Sequence, residues 1–308
     1  MARIAAALIV LAVFAPSAQA AFGGKNGAVG FAQRTVTGDS VNPPMEHTRL
    51  ATRHVFGTRD RILVDCQLTD GAPSGGDCSG TSYRSPSYSR DGERIVFDAG
   101  ERIGVMAADG SALSLLPAVT ADDGSPAFAP DGRRIAFTGT NGRGTTDLYV
   151  RRLDGGAAQP IVNDAGEPTW SSRDVIAYVR SGNIYVARSG GGHRRFVTSG
   201  VSPDWSPDGR RLLFVRPLAR LTFDAPIGRM YVAGAHGEGL RRIGPPADAS
   251  RPVWSPEANW IAYEAFEAGI RAKRLGSSQP AREIAITQSS GESGSVGSFD
   301  PTWRPLPR

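Results

Sequence analysis

Short apolar runs with period-two alternation recur along this chain, bounded by Gly, Pro, Asp and Ser. Arg94–Phe97, Arg134–Phe137, Val175–Tyr178, Leu212–Val215 and Trp260–Tyr263 make one set. Ile103–Met106, Leu148–Val150, Ile184–Val186 and Met230–Val232 follow as a second set. Both are β-branched and aromatic, and no stretch beyond the N-terminus sustains a helical period, so the pattern predicts strands throughout.

A phrase precedes each first-set run and repeats six times. It reads PSYSRDG from Pro86, PAFAPDG from Pro126, PTWSSRD from Pro168, PDWSPDG from Pro203, PVWSPEA from Pro252 and PTWRPLP from Pro301. The prolines stand 40, 42, 35, 49 and 49 residues apart, a period that marks a blade-by-blade array. The Asp-Gly ending is turn chemistry, with Asp91, Asp131 and Asp208 closing the turn through their side chains and glycine accepting positive φ. Tyr88, Phe128, Trp170, Trp205, Trp254 and Trp303 share one register and are expected to wedge between neighbouring blades.

The first apolar strand, Ala28–Gln33, has no phrase before it, and the last phrase, at Asp300–Trp303, has no strand after it. Circular closure resolves both, the C-terminal strand supplying the innermost strand of the first blade and removing an open edge. The expected fold is an all-β, six-bladed β-propeller closed by the C-terminal strand.

The order P-x-W-S-P-D-G, then I-A-F, then I-Y-V with D-G after it, resembles the WD40-like repeat of the TolB propeller. Pro203–Gly209 and Leu148–Gly156 are its clearest copies, and the resemblance runs from about Gly23 to Arg304. It implies a propeller and says little about activity, because one fold hosts many functions. TolB itself carries an α/β domain ahead of its propeller, for which this chain is expected to have no room. Prolyl-oligopeptidase-like enzymes share the repeat and append a hydrolase domain. Here Gly291-Glu292-Ser293-Gly294-Ser295 lacks the last glycine of a nucleophile elbow, which argues against a serine peptidase.

Met1-Ala2-Arg3, the apolar stretch Ile4–Ala15 and the small residues Ala18-Gln19-Ala20 read as a secretory signal peptide cleaved after Ala20. The domain reading is therefore residues 1–20 as signal and 21–308 as propeller, in a periplasmic or secreted protein. Cys66 and Cys78, the only cysteines, are expected to form a disulfide in that oxidising compartment, contributing about 3 kcal/mol through loop closure. Their segment is read as a link between third and fourth strands. The formal charge is +5, but the arginines are scattered as solvated strand-end groups with no basic stripe, so nucleic acid is not an expected partner.

Candidate chemistry lies beside the repeated proline. Glu167, Asp204 and Asp300 are expected near the central channel, where their oxygens suit a hard cation such as calcium, with Arg251 as the competing counter-charge. His47, His54, His193 and His236 show no ligand spacing and no partner nucleophile. Three long connections, 34–59, 216–228 and 288–298, are expected on one face of blades five, six and one. The functional expectation is a monomeric, non-enzymatic platform that docks a protein or cell-envelope component on that face. The alternative is a metal-supported hydrolase or lyase working at the channel mouth.

Overall fold

The computed structural model describes residues 19–20, 25–37, 45–56, 59–65, 82–218, 227–244, 249–265, 269–285, 288–290 and 294–306. Among them every regular element is a strand, and no helix is long and apolar enough to cross a membrane. Cys66, Cys78 and nearly all of the expected signal lie outside the described residues. Gln19–Ala20 forms β1.

The remaining strands follow as antiparallel meanders. The first is β2 (Lys25–Thr37), β3 (Met45–Arg53) and β4 (Arg61–Asp65). The second is β5 (Tyr83–Tyr88), β6 (Arg94–Ala99), β7 (Arg102–Ala107) and β8 (Ser114–Leu115). The third is β9 (Asp123–Phe128), β10 (Arg134–Thr140), β11 (Thr146–Arg152) and β12 (Gln159–Val162). Then come β13 (Gly166–Trp170), β14 (Val175–Arg180), β15 (Asn183–Arg188) and β16 (Arg195–Ser199). After them run β17 (Val201–Trp205), β18 (Arg211–Pro217), β19 (Gly228–Gly234) and β20 (Arg241–Arg242). The last meander is β21 (Ala249–Trp254), β22 (Trp260–Ala265), β23 (Gly269–Arg274) and β24 (Arg282–Ala285), and β25 (Gln288–Ser290) and β26 (Gly294–Leu306) end the chain. β26 pairs with β2 from Lys25↔Leu306 to Val36↔Ser295. β1 lies parallel to β13 at Thr169 and Trp170. The architecture is an all-β propeller.

Each repeated aromatic is buried and packs on the unit before its own. Tyr88 shares a cluster with Leu50 and Val64, Phe128 with Val96 and Ile103, and Trp170 with Ala136 and Leu148. Trp303 joins Ile270 and Ile284, and Trp205 joins Val186 and Val197. Burying such a side chain stabilises the seam by about 1.5–3 kcal/mol. Three arginines expected as solvated strand ends reach across these seams instead. The guanidinium carbons of Arg94, Arg134 and Arg211 stand 5.5, 5.1 and 5.2 Å from the ring centroids of Phe128, Trp170 and Trp254. The reason is positional: each opens the second strand of its unit, level with the next unit's aromatic.

The turn after each aromatic is held as its sequence dictates. Ser89 and Ser206 hydroxyls donate to Asp91 and Asp208 at 2.5 and 2.6 Å. Gly92 has φ +72°, and a Cβ there would meet the Pro305 carbonyl oxygen at 1.8 Å, so this glycine is needed both for its dihedral and for the close approach of β26. In two copies the same turn position is not glycine: Asp174 has φ 60° and Ala258 has φ 58°.

Two sequence expectations fail in the first meander. Half of the expected loop 34–59 is strand, because β2 continues to Thr37 and β3 runs from Met45 to Arg53. β3 is therefore the third strand and Arg61–Asp65 the fourth, so Cys66 and Cys78 belong to the connection from β4 to β5 rather than to a third-to-fourth turn. The expected loop 288–298 is likewise a hairpin, with Gln288 opposite Val296 and Ser290 opposite Gly294.

Candidate functional site

The residue before each repeated proline adopts the left-handed region. Ser85, Ser125, Glu167, Ser202, Arg251 and Asp300 have φ of 49, 49, 51, 50, 45 and 52°. None is glycine and all are buried. Pairing with the second strand shifts register at this point in every copy, for example between Arg84 and Ser87 and between Val201 and Asp204. The device is a β-bulge at a proline that has no N–H to give. Such backbone costs about 1–3 kcal/mol per residue and persists only where surrounding contacts enforce it.

At Ser85, Ser125 and Ser202 those contacts include a carboxylate of the preceding unit. The Ser85 N–H donates to Asp300 Oδ2 at 3.1 Å, the Ser125 N–H to Asp98 Oδ1 at 2.6 Å, and the Ser202 N–H to Glu167 Oε2. The Trp254 N–H donates to Asp204 Oδ2 at 2.7 Å. Arg251 balances part of this charge. Its Nε lies 2.9 Å from Asp300 Oδ1 and its Nη1 2.7 Å from Glu264 Oε2.

Burial sets the protonation of the group. It pushes the Asp98 and Asp204 carboxyls up to about 8, with Asp300 adding repulsion at Asp98. It also raises Glu167 and Glu264, against the pull of Arg251. Burial works against the Arg251 charge, but the Asp300 and Glu264 carboxylates more than offset it.

Of the four residues singled out from sequence, the structure joins Arg251 directly to Asp300, while Glu167 and Asp204 each serve a separate backbone N–H. The calcium expectation meets a different arrangement: among the described residues no group of three or more acidic, His or Cys side chains is gathered for a metal. The carboxylates are divided among successive seams, each accepting from backbone. Sequence reasoning missed Asp98 and Glu264. Both are the fifth residue of a second strand, where other copies carry Thr138, Val179 and Val215, so an acid breaking an apolar run was the available signal.

A second concave feature lies between the fourth and fifth meanders, a groove of about 480 Å³ that contains Trp205, His193 and His236.

Comparison with known proteins agrees with this architecture. A family model described as the TolB beta propeller domain matches residues 76–256. A "Protein TolB homolog" from Chlorobium luteolum is 33% identical over 140 residues, which cover 40% of this chain and 31% of that protein. The chain thus matches about a third of the length of this curated relative. The crystal structure of TolB from Acinetobacter baumannii superposes with a TM-score of 0.61 at 15% identity, over 89% of this chain and 67% of that one. A putative TolB from Agrobacterium tumefaciens gives a TM-score of 0.60 at 14% identity, over 89% and 99%. At these identities the structures speak for the fold alone. With its matched family model covering more than half of its residues, the chain belongs to the TolB beta-propeller domain family.

Proposed function

We propose that this chain is a six-bladed propeller closed by β26 that works as a monomer outside the cytoplasm, as a non-enzymatic platform for a protein or cell-envelope component. Six blades are supported by contacts among first strands, which run from β26 to β5, β9, β13, β17 and β21 and back to β26. The pairing of β26 with β2 supports closure. The N-terminal Arg3, apolar stretch and Ala18-Gln19-Ala20 support export, with cleavage after Ala20, which removes β1 and its pairing with β13 from the mature propeller.

One observation carries the platform reading. Asp98, Glu167, Asp204 and Asp300 all accept backbone N–H groups of the next unit, so the polar groups best suited to chemistry are engaged in holding the seams. The strand ends Thr37, Met45, Pro217, Gly228, Ser290 and Gly294, which bound the β2–β3, β18–β19 and β25–β26 connections, share one edge in a closed ring. Specificity on rigid scaffolds resides in such connections.

Site-specific photo-cross-linking in the intact cell envelope tests this reading. A photoreactive residue at His47 or Ser290 is expected to capture a defined partner, while one at His193 or His236, on the opposite edge, is not. Equal capture from both edges, or none from the first, overturns it.

A further inference from the structure

β1 lies on the edge of β13 that faces away from β14, and so extends the fourth meander inward. It also contacts β5, β9 and β17, which places it among the first strands of four units, in the central channel. Gln19 stands opposite Thr169 and Ala20 opposite Trp170, in parallel.

Backbone chemistry explains why this edge takes a strand. The Ser171 N–H donates to the Val175 carbonyl at 2.9 Å, so alternation along the chain turns the Trp170 N–H to the channel edge. The last meander shows the same geometry. There the Ser255 N–H donates to the Trp260 carbonyl, and the Trp254 N–H is taken by Asp204 of the unit before. The residue equivalent to Asp204 ahead of Trp170 is Ala127, whose side chain offers no acceptor. Val253 is equally apolar ahead of Trp303, but at that seam the Arg251–Asp300 pair crosses between the units. A buried backbone edge needs a partner, and at Trp170 the partner is β1.

The bond read as the cleavage site follows Ala20 directly. Its hydrolysis consumes one water and leaves an Ala20 carboxylate and an Ala21 amine. A peptidase needs the residues before the cut as a free extended strand, and in the folded chain β13 already holds them. Cutting then tracks the small population in which β1 has detached.

We propose that docking of Gln19–Ala20 on β13 shields the cleavage site. The signal must therefore be removed before the ring folds around it, and its removal leaves the channel edge of β13 open. This inference rests on the export reading, and the test separates the two.

The full chain, held in mild detergent, is given to a bacterial signal peptidase in two ways: after refolding, and at the moment of dilution from urea. Mass spectrometry of the products locates and quantifies the cut. The freshly diluted chain is expected to be cut after Ala20, and the refolded chain at least tenfold more slowly. Ala127→Asp sets a carboxylate where Asp204 stands ahead of Trp254, in competition with β1. It is expected to speed cutting of the refolded chain at least tenfold. Gln19→Pro, which removes a backbone N–H from β1 and leaves the ring untouched, is expected to do the same. A micelle that merely buried the signal would protect both variants as well as the parent. Equal cutting of refolded and freshly diluted parent, or unchanged resistance in both variants, overturns the shield. No cut after Ala20 in the freshly diluted chain overturns the export reading and this inference with it.

Discussion

Arg251 and Asp300 form an ion pair of 2.9 Å in which the side chains are 2% and 0% exposed. It joins β21 to β26, strands far apart in sequence, and both partners sit at strained pre-proline positions. Removing one partner of a buried pair leaves an uncompensated charge, at a cost of about 3–5 kcal/mol. Asp300→Ala is expected to lose that much in urea denaturation. Asp300→Asn loses less, because its carboxamide oxygen still accepts the Ser85 N–H. A loss under about 1 kcal/mol for Asp300→Ala would show that the pair does not hold the seam.

Stability is expected to fall as pH rises from about 4 to about 8. Asp98 and Asp204 are pushed up to about 8 in the folded chain, whereas an unfolded aspartate releases its proton near 4. Between those values the folded state binds more protons, so the stabilisation is complete below the unfolded value and lost through the folded one. The melting midpoint should be higher at pH 5 than at pH 8.5, and Asp98→Asn should flatten the difference. A level profile over this range would mean that these carboxyls titrate normally.

Ala258→Gly is expected to stabilise the protein by about 1 kcal/mol, because alanine at φ 58° pays a steric penalty that glycine escapes. Asp174→Gly, at the equivalent turn position, should not stabilise. Its carboxylate accepts the Trp170 indole N–H and pairs with Arg134. Paired thermal melts check both, and equal gains would mean that the Trp170 cap is energetically idle.

Deleting residues 299–308 should abolish cooperative unfolding. The deletion removes Asp300, most of the partner strand of β2 and Trp303, whose indole N–H donates to the Gly27 carbonyl at 3.1 Å. A truncated chain that melts like its parent would refute closure by β26.

Calcium should leave the melting midpoint unchanged relative to chelator, since Glu167, Asp204 and Asp300 already accept backbone N–H groups. A native-state ligand raises the midpoint. A rise lost in Asp204→Ala would restore the metal-supported alternative.

The repeat was legible from sequence because each unit carries its own local code. Alternation set the strands, Pro and Asp-Gly set the turns, and the aromatic at one register declared which face would be buried. The strands of the first meander were less legible. Met45–Arg53 mixes polar and apolar residues, and β3 becomes a strand through its pairing with β2, from Val29↔Arg53 to Thr37↔Met45. The candidate site divides in the same way. Glu167, Asp204, Arg251 and Asp300 could be singled out by their place beside the proline. Their partners could not, because each carboxylate is satisfied by a donor 35 to 215 residues away. The sequence by itself determined the blade motif and its wedge. Only the tertiary structure decided which seams carry charge and which arginines cover rings, since those outcomes depend on side chains of neighbouring units meeting across a gap that no local pattern encodes.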